Sequence, residues 1–102
     1  MKQKNKPVVS VIMSVYNSEK FLGESIKSIL NQSFRNFEFI IINDGSKDNS
    51  LKIIKKFKKK DKRIVLIDNK NNLGLIKSLN HGLKIANGKY IARMDGDDIA
   101  MP

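Results

Sequence analysis

Cysteine and tryptophan are absent from this 102-residue chain, proline occurs twice, histidine once, and aromatic residues make up only 7%. Without cysteine there can be no disulfide and no thiolate metal site, and His81 alone cannot build a zinc centre. A metal held by this chain must sit among oxygen ligands, chiefly carboxylates, which selects hard cations such as Mg2+ or Mn2+. Long apolar runs are missing too. Stretches such as Phe39-Ile40-Ile41-Ile42 fall far short of the roughly 20 residues that a membrane-spanning helix requires. The lysine-rich residues 1–6 are not followed by an apolar segment and a small-residue cleavage site, so a secretion signal is not expected. They read as a short, disordered basic lead-in to a single domain over 7–102.

Acidic residues are scarce: 10 Asp and Glu stand against 20 Lys and Arg, for a net charge of +10. Such an excess attracts polyanions in general. Much of it, however, comes from Lys52, Lys55, Lys56, Lys58, Lys59, Lys60, Lys62 and Arg63, which surround Leu51, Ile54 and Phe57 at helical spacing. The pattern reads first as the solvated face of an amphipathic helix, with attraction to anionic lipid or polymer as the alternative. No nucleic-acid partner is expected, because aromatics are not interleaved with the lysines and Phe57 falls at a core-facing position.

Four apolar runs rich in β-branched residues, Val8 to Ser14, Phe37 to Ile42, Arg63 to Asp68 and Lys89 to Met94, predict buried strands. Between them, apolar residues recur three or four apart: Phe21, Leu22, Ile26, Ile29 and Leu30; Leu51, Ile54 and Phe57; Leu75, Leu79, Leu83 and Ala86. Each set predicts an amphipathic helix. Asn17-Ser18 and Ser46 to Asp48 offer N-caps, and Asn87-Gly88 is suited to end the third helix with a positive φ. Alternating strands and helices predict an α/β fold built on a mostly parallel sheet with right-handed crossovers.

In such sheets ligands bind outside the carboxyl ends of the strands. The polar punctuation gathers there: Val15-Tyr16-Asn17 after the first strand, Asn43-Asp44-Gly45-Ser46 after the second, residues 69–74 after the third, and Asp95-Gly96-Asp97-Asp98 after the fourth. Carboxylates spaced as Asp95 and Asp97 can share one octahedral cation while leaving positions for diphosphate oxygens and water. Asp44 is read either as turn and cap chemistry or as an acceptor for the N–H of a base edge. Arg93, just before the acidic turn, is placed to pair with Asp95 or Asp97 or to meet phosphate.

Taken in order, five segments resemble the family 2 glycosyltransferases: residues 7–17 ending in Val15-Tyr16-Asn17, Ser28 to Phe34, Asn43-Asp44-Gly45-Ser46, Asn72-Leu73-Gly74, and Tyr90 to Asp98. The resemblance implies the nucleotide-binding half of a Rossmann-like GT-A domain, truncated. It further implies a nucleotide-sugar donor, usually a UDP-sugar, bound with Mn2+ or Mg2+, and transfer to a saccharide or lipid-linked acceptor with inversion. Under it, Val15, Tyr16 and Asn17 would line the base and ribose site through backbone and side chain. Asp44 would hold the base, Asp95 would contact ribose or metal, and Asp97 would bridge metal to diphosphate. The general base and the acceptor site would lie beyond Pro102. The same reading implies a cytoplasmic, membrane-peripheral location and an uncovered sheet edge prone to self-association. A nucleotidyltransferase or phosphatase would want a glycine-rich phosphate loop or an acidic nucleophile on the first strand, and Val15-Tyr16-Asn17 supplies neither. A basic, non-catalytic polyanion- or membrane-surface-binding module is the alternative of a different class.

Overall fold

The computed structural model of the chain describes residues 7–95. The expectations for the lead-in 1–6 and for Asp97 and Asp98 fall outside them. Four strands and three helices alternate: β1 Val9–Val15, α1 Glu19–Leu30, β2 Phe37–Asp44, α2 Ser50–Lys60, β3 Ile64–Asn69, α3 Leu75–Ile85 and β4 Tyr90–Asp95. The strands form one all-parallel sheet in the order β3-β2-β1-β4. Helices α1 and α2 pack together on one face, while α3 packs on β1 and β2 from the other. Chain direction reverses across β1 when the helix changes face, so all three crossovers share one hand, as the right-handed rule for parallel strands requires.

The pleat divides each strand between two cores. Val11, Met13 and Val15 of β1, with Phe37, Phe39 and Ile41 of β2, join Leu22, Ile26, Ile29 and Ile54 beneath α1 and α2. The alternate residues Ile12, Ile40 and Ile42 form a smaller core under α3 with Leu79 and Ala86. That the two central strands are apolar on both faces is why their sequences run almost without alternation. On the α3 side cover is thinner: Ile76 is 73% exposed, Leu83 48% and Ile91 of the edge strand 47%, while Tyr90, on the other face of that strand, is 57% exposed. Among the described residues no helix is long and apolar enough to cross a membrane.

Three local expectations are corrected. Asn87-Gly88 does not close α3 with a positive φ. The helix ends at Ala86 in extended conformation, and the left-handed glycines are Gly45 and Gly74. Gly88 instead permits close approach, since a Cβ there would lie 2.5 Å from the Ser10 amide nitrogen and 2.6 Å from the Val9 carbonyl carbon. Its N–H donates to Ser10 Oγ, while Ser10 and the Asn87 N–H both donate to Glu38, pinning the entry to β4 against β1 and β2.

Arg63, second, is not part of a solvated lysine face. It forks onto Asp61 at 2.8 and 3.0 Å, donates to the carbonyls of Leu30 and Arg35, and stacks on the Phe37 ring. The Arg63 hydrogen bonds hold the Asp61 carboxyl below its ordinary pKa.

The helix N-caps, third, are only partly local: Asp48 Oδ1 accepts from the Ser50 N–H of its own helix at 2.9 Å, as expected for residues 46–48. Neither Ser18 nor Asn49, the cap residues of α1 and α2, caps its own helix through its side chain. The two neighbouring helices exchange caps instead. The Glu19 N–H donates to Asp48 Oδ2 at 3.1 Å, the Asn49 N–H to Glu19 Oε1 at 2.8 Å, and the Ser18 N–H to Ser50 Oγ at 3.0 Å. Three amides at the two helix starts are thus satisfied across the pair, with a carboxylate at the positive end of each dipole.

Candidate functional site

The carboxyl edge is assembled around β2, whose last residue is Asp44. Strand pairing persists through Asn43 and Asp44, two residues beyond the apolar run, so Asp44 is a strand residue and not a turn residue. Its side chain lies on the α3 face and is only 2% exposed. The carboxylate accepts from the N–H of Leu73 at 2.7 Å, the N–H of Gly74 at 3.0 Å and Asn69 Nδ2 at 3.1 Å, while the Asp44 carbonyl accepts from Asn72 Nδ2 at 3.3 Å. Burial alone would push its pKa up. The donors at Leu73, Asn69, Gly74 and Ser78 outweigh that and leave it below the ordinary carboxylate value. The sequence reading has this carboxylate open to a base edge; in the structure its oxygens hold the 69–74 loop and the start of α3.

Asn17 performs a matching task between the first two loops. It adopts φ +48°, a left-handed conformation that asparagine tolerates better than most residues. Its N–H donates to Ser46 Oγ at 2.9 Å and its side-chain Oδ1 accepts from the Lys47 N–H at 2.8 Å. The side chain expected to meet base or ribose is therefore engaged by the next loop. Val15 is corrected more firmly: it is 0% exposed, packed in the core beneath α1 and α2, and only its backbone reaches the edge. Tyr16, in contrast, is 47% exposed and available to a ligand.

The sheet order brings the separated motifs to one edge. β1 stands between β2 and β4, so the ends of those strands lie two strand spacings apart, about 10 Å. The backbone of Asp95 is in register with Ser14, one residue before Val15. Arg93 pairs with Ile12, is exposed, and borders an open groove of about 300 Å3 between β4 and α3, with Ile12, Ile76, Leu79 and Ile91. Among the described residues it makes no ion pair. Its expected partner Asp97 lies outside them.

The sequence profile described as glycosyl transferase family 2 matches residues 10–102, nearly the whole chain. The chain belongs to glycosyltransferase family 2. An uncharacterized glycosyltransferase of Haemophilus influenzae is 56% identical over 98 residues, covering 96% of this chain and 30% of that protein. A putative glycosyltransferase of Bacillus subtilis, EpsE, is 53% identical over 97 residues, covering 94% and 35%. Among solved structures, Staphylococcus aureus TarS in complex with UDP-GlcNAc superposes with a TM-score of 0.83 at 34% identity, over 89% of this chain and 27% of that one. A mannosyltransferase of Pyrobaculum calidifontis in complex with GDP-Man and Mn2+ gives a TM-score of 0.87 at 20% identity, over 96% and 30%, a likeness of fold. The fold is that of the amino-terminal part of GT-A glycosyltransferases, and the chain spans about a third of the length of the curated relatives it matches.

The residues that sequence reasoning missed in this glycosyltransferase domain are the ones that couple its loops. Asn69 and Ser78 complete the shell of Asp44, and Glu19, Asp48 and Ser50 lock α1 to α2. Asp48 was visible as a cap, and its Oδ1 does accept from the Ser50 N–H; its second partner, the Glu19 N–H, was not visible because it is on another helix. Asn43 is 2% exposed; its Nδ2 donates to Asp68 at 3.0 Å while its Oδ1 has no protein partner.

Proposed function

We propose that this chain forms the donor-binding part of an inverting, metal-dependent glycosyltransferase that uses a UDP-sugar. The observation that carries the reading is the meeting of the β1, β2 and β3 loops with the end of β4 at one sheet edge, in a chain of this family. Tyr16, with the backbone of Val15 and Asn17, is assigned to the nucleoside. Asp44 is assigned to the base site, chiefly through the 72–74 loop it holds, and Arg93 to the approach of the phosphates.

Asp95 and Asp97 are the residues assigned to a cation. The donor chemistry fits: the chain has no thiolates, the described residues contain no cluster of three or more His, Cys, Asp or Glu, and a pair of carboxylates leaves the remaining positions of Mn2+ or Mg2+ to diphosphate and water. Bound there, the cation would offset charge on the departing nucleoside diphosphate. The acceptor, a saccharide or a lipid-linked one as in polysaccharide assembly, and the general base are assigned to sequence beyond Pro102.

Titration calorimetry with UDP tests this reading. Binding is expected with Mn2+ or Mg2+ and not with chelator, and Asp97→Ala is expected to weaken it at least tenfold, about 1.4 kcal/mol. Metal-independent binding, or affinity unchanged in Asp97→Ala, would remove the cation assignment. Self-association belongs to the same proposal, because among the described residues β4 is an edge strand paired only with β1 and carries half-exposed Tyr90 and Ile91. Its expected signature is a sedimentation coefficient that rises with protein concentration, and a constant monomer value would exclude it.

A further inference from the structure

We propose that the outer face of α2 is a docking surface for an anionic lipid bilayer. Lys52, Lys55, Lys56 and Lys59 recur at the i, i+3, i+4, i+7 spacing of one helical stripe, and all four are exposed. The opposite side of the helix carries Ile54 and, partly buried, Ile53 and Phe57 in the core. Helix α2 contains no acidic residue. Its neighbour α1 is balanced, with Glu19 and Glu24 against Lys20 and Lys27, so between the two helices of this layer the uncompensated charge belongs to α2.

That arrangement works against the stability of the helix, since like charges three and four residues apart repel. Only Lys59, in the last turn, meets the negative end of the helix dipole. Among the described residues the one salt bridge is Arg63 with Asp61, and the one α2 lysine given a backbone acceptor is Lys58, which lies off the stripe. A feature that costs stability and has no internal counter-charge is explained by an external one.

The shape selects the kind of polyanion. The stripe lies along one side of a convex helix surface and is about 10 Å long, so a flat anionic surface meets all four ammonium groups at once. A single-stranded nucleic acid would want aromatic faces among the cations, and Phe57 is turned into the core. The placement also suits the site. Helix α2 begins beside the carboxyl-edge loops and runs back to Asp61 at the opposite edge, so a bilayer lying along its outer face does not cover the carboxyl edge. The inference does not depend on donor binding.

Flotation with phosphatidylcholine vesicles, with and without phosphatidylglycerol, tests it. The chain is expected to float only with the anionic vesicles and to be released when salt rises from about 0.1 M to about 1 M, as the screening length falls from about 10 Å to about 3 Å. Lys52→Gln/Lys55→Gln/Lys56→Gln/Lys59→Gln should lower the partition coefficient by several hundred-fold, a factor of about five per lysine. Glutamine is nearly as good a helix former as lysine, so this variant should keep or raise the thermal midpoint. A control that removes the same charge elsewhere, Lys70→Gln/Lys77→Gln/Lys84→Gln/Lys89→Gln, should lose no more than about tenfold. Equal losses in the two variants would reduce the effect to net charge and overturn the proposal. So would absence of flotation, equal flotation with neutral vesicles, or displacement from vesicles by an equal phosphate concentration of polyuridylic acid.

Discussion

Asp44→Ala is expected to lower the unfolding free energy by about 3 kcal/mol in the absence of any nucleotide. Three donors converge on the carboxylate, from Leu73, Gly74 and Asn69, in a position 2% exposed. Truncation leaves them without an acceptor, each at a cost of about 1 to 3 kcal/mol before water or local rearrangement recovers part of it. In a domain of this size the loss corresponds to a fall in the thermal midpoint of about 12 to 24 °C. Asp44→Asn should recover little, because its amide NH2 would face one of the backbone N–H groups. The pH dependence carries a definite sign. Asp44's folded pKa lies below its unfolded value, so its contribution is complete above the unfolded pKa of about 3.9 and is lost as pH falls through the folded one. The stability gap between wild type and variant should thus be constant near neutrality and shrink below about pH 4. A variant that melts within about 2 °C of wild type yet no longer binds UDP would reverse the interpretation, making the carboxylate a ligand contact and not a loop anchor.

How much of this was legible before the fold was known follows from the range of each interaction. Strands and helices could be read because Ile40, Ile41 and Ile42 are apolar on both sides of a pleat and because Leu22, Ile26 and Ile29 repeat with the helical period; both are local signals. That the polar motifs meet at one edge was legible for the same reason, since alternation implies a parallel sheet and a parallel sheet gathers the loops after its strands at one edge. The wiring of that edge was not. Asp44 finds Leu73 and Gly74 about thirty positions away, and Asn17 finds Ser46 and Lys47 at a similar distance. No motif announces such partners, because each exists only once the crossovers have laid two loops side by side. Only the side chain of Val15 was misjudged, by adjacency: next to Tyr16 in sequence, it is buried in the core and leaves the backbone alone at the edge. Gly88 was misjudged by composition, since Asn-Gly is good helix-ending chemistry and only packing reveals β1 pressed against it.

Gly45→Ala is expected to cost about 2 to 3 kcal/mol and to damage the same junction by another route. Gly45 adopts φ +75°, where an added Cβ is strained, and that Cβ would lie 2.5 Å from the backbone nitrogen of Asn72 and 2.6 Å from the carbonyl carbon of Asn71. Backbone cannot rotate away as a side chain can. Relief requires the 71–74 loop to move off β2, and that movement withdraws the Leu73 and Gly74 amides from Asp44. The two substitutions therefore share one structural loss, and the double variant should be less destabilised than the sum of the singles by more than about 0.5 kcal/mol. Urea unfolding of the four proteins measures that coupling. Strict additivity would mean that Gly45 is strained independently of the loop; a coupled result would make residues 44–45 and 71–74 one cooperative unit. Because UDP binding is assigned to the surface this unit shapes, saturating nucleotide with Mn2+ should raise the midpoint of wild type and raise that of Gly45→Ala much less, since only molecules with the loop seated offer the ligand its full set of contacts.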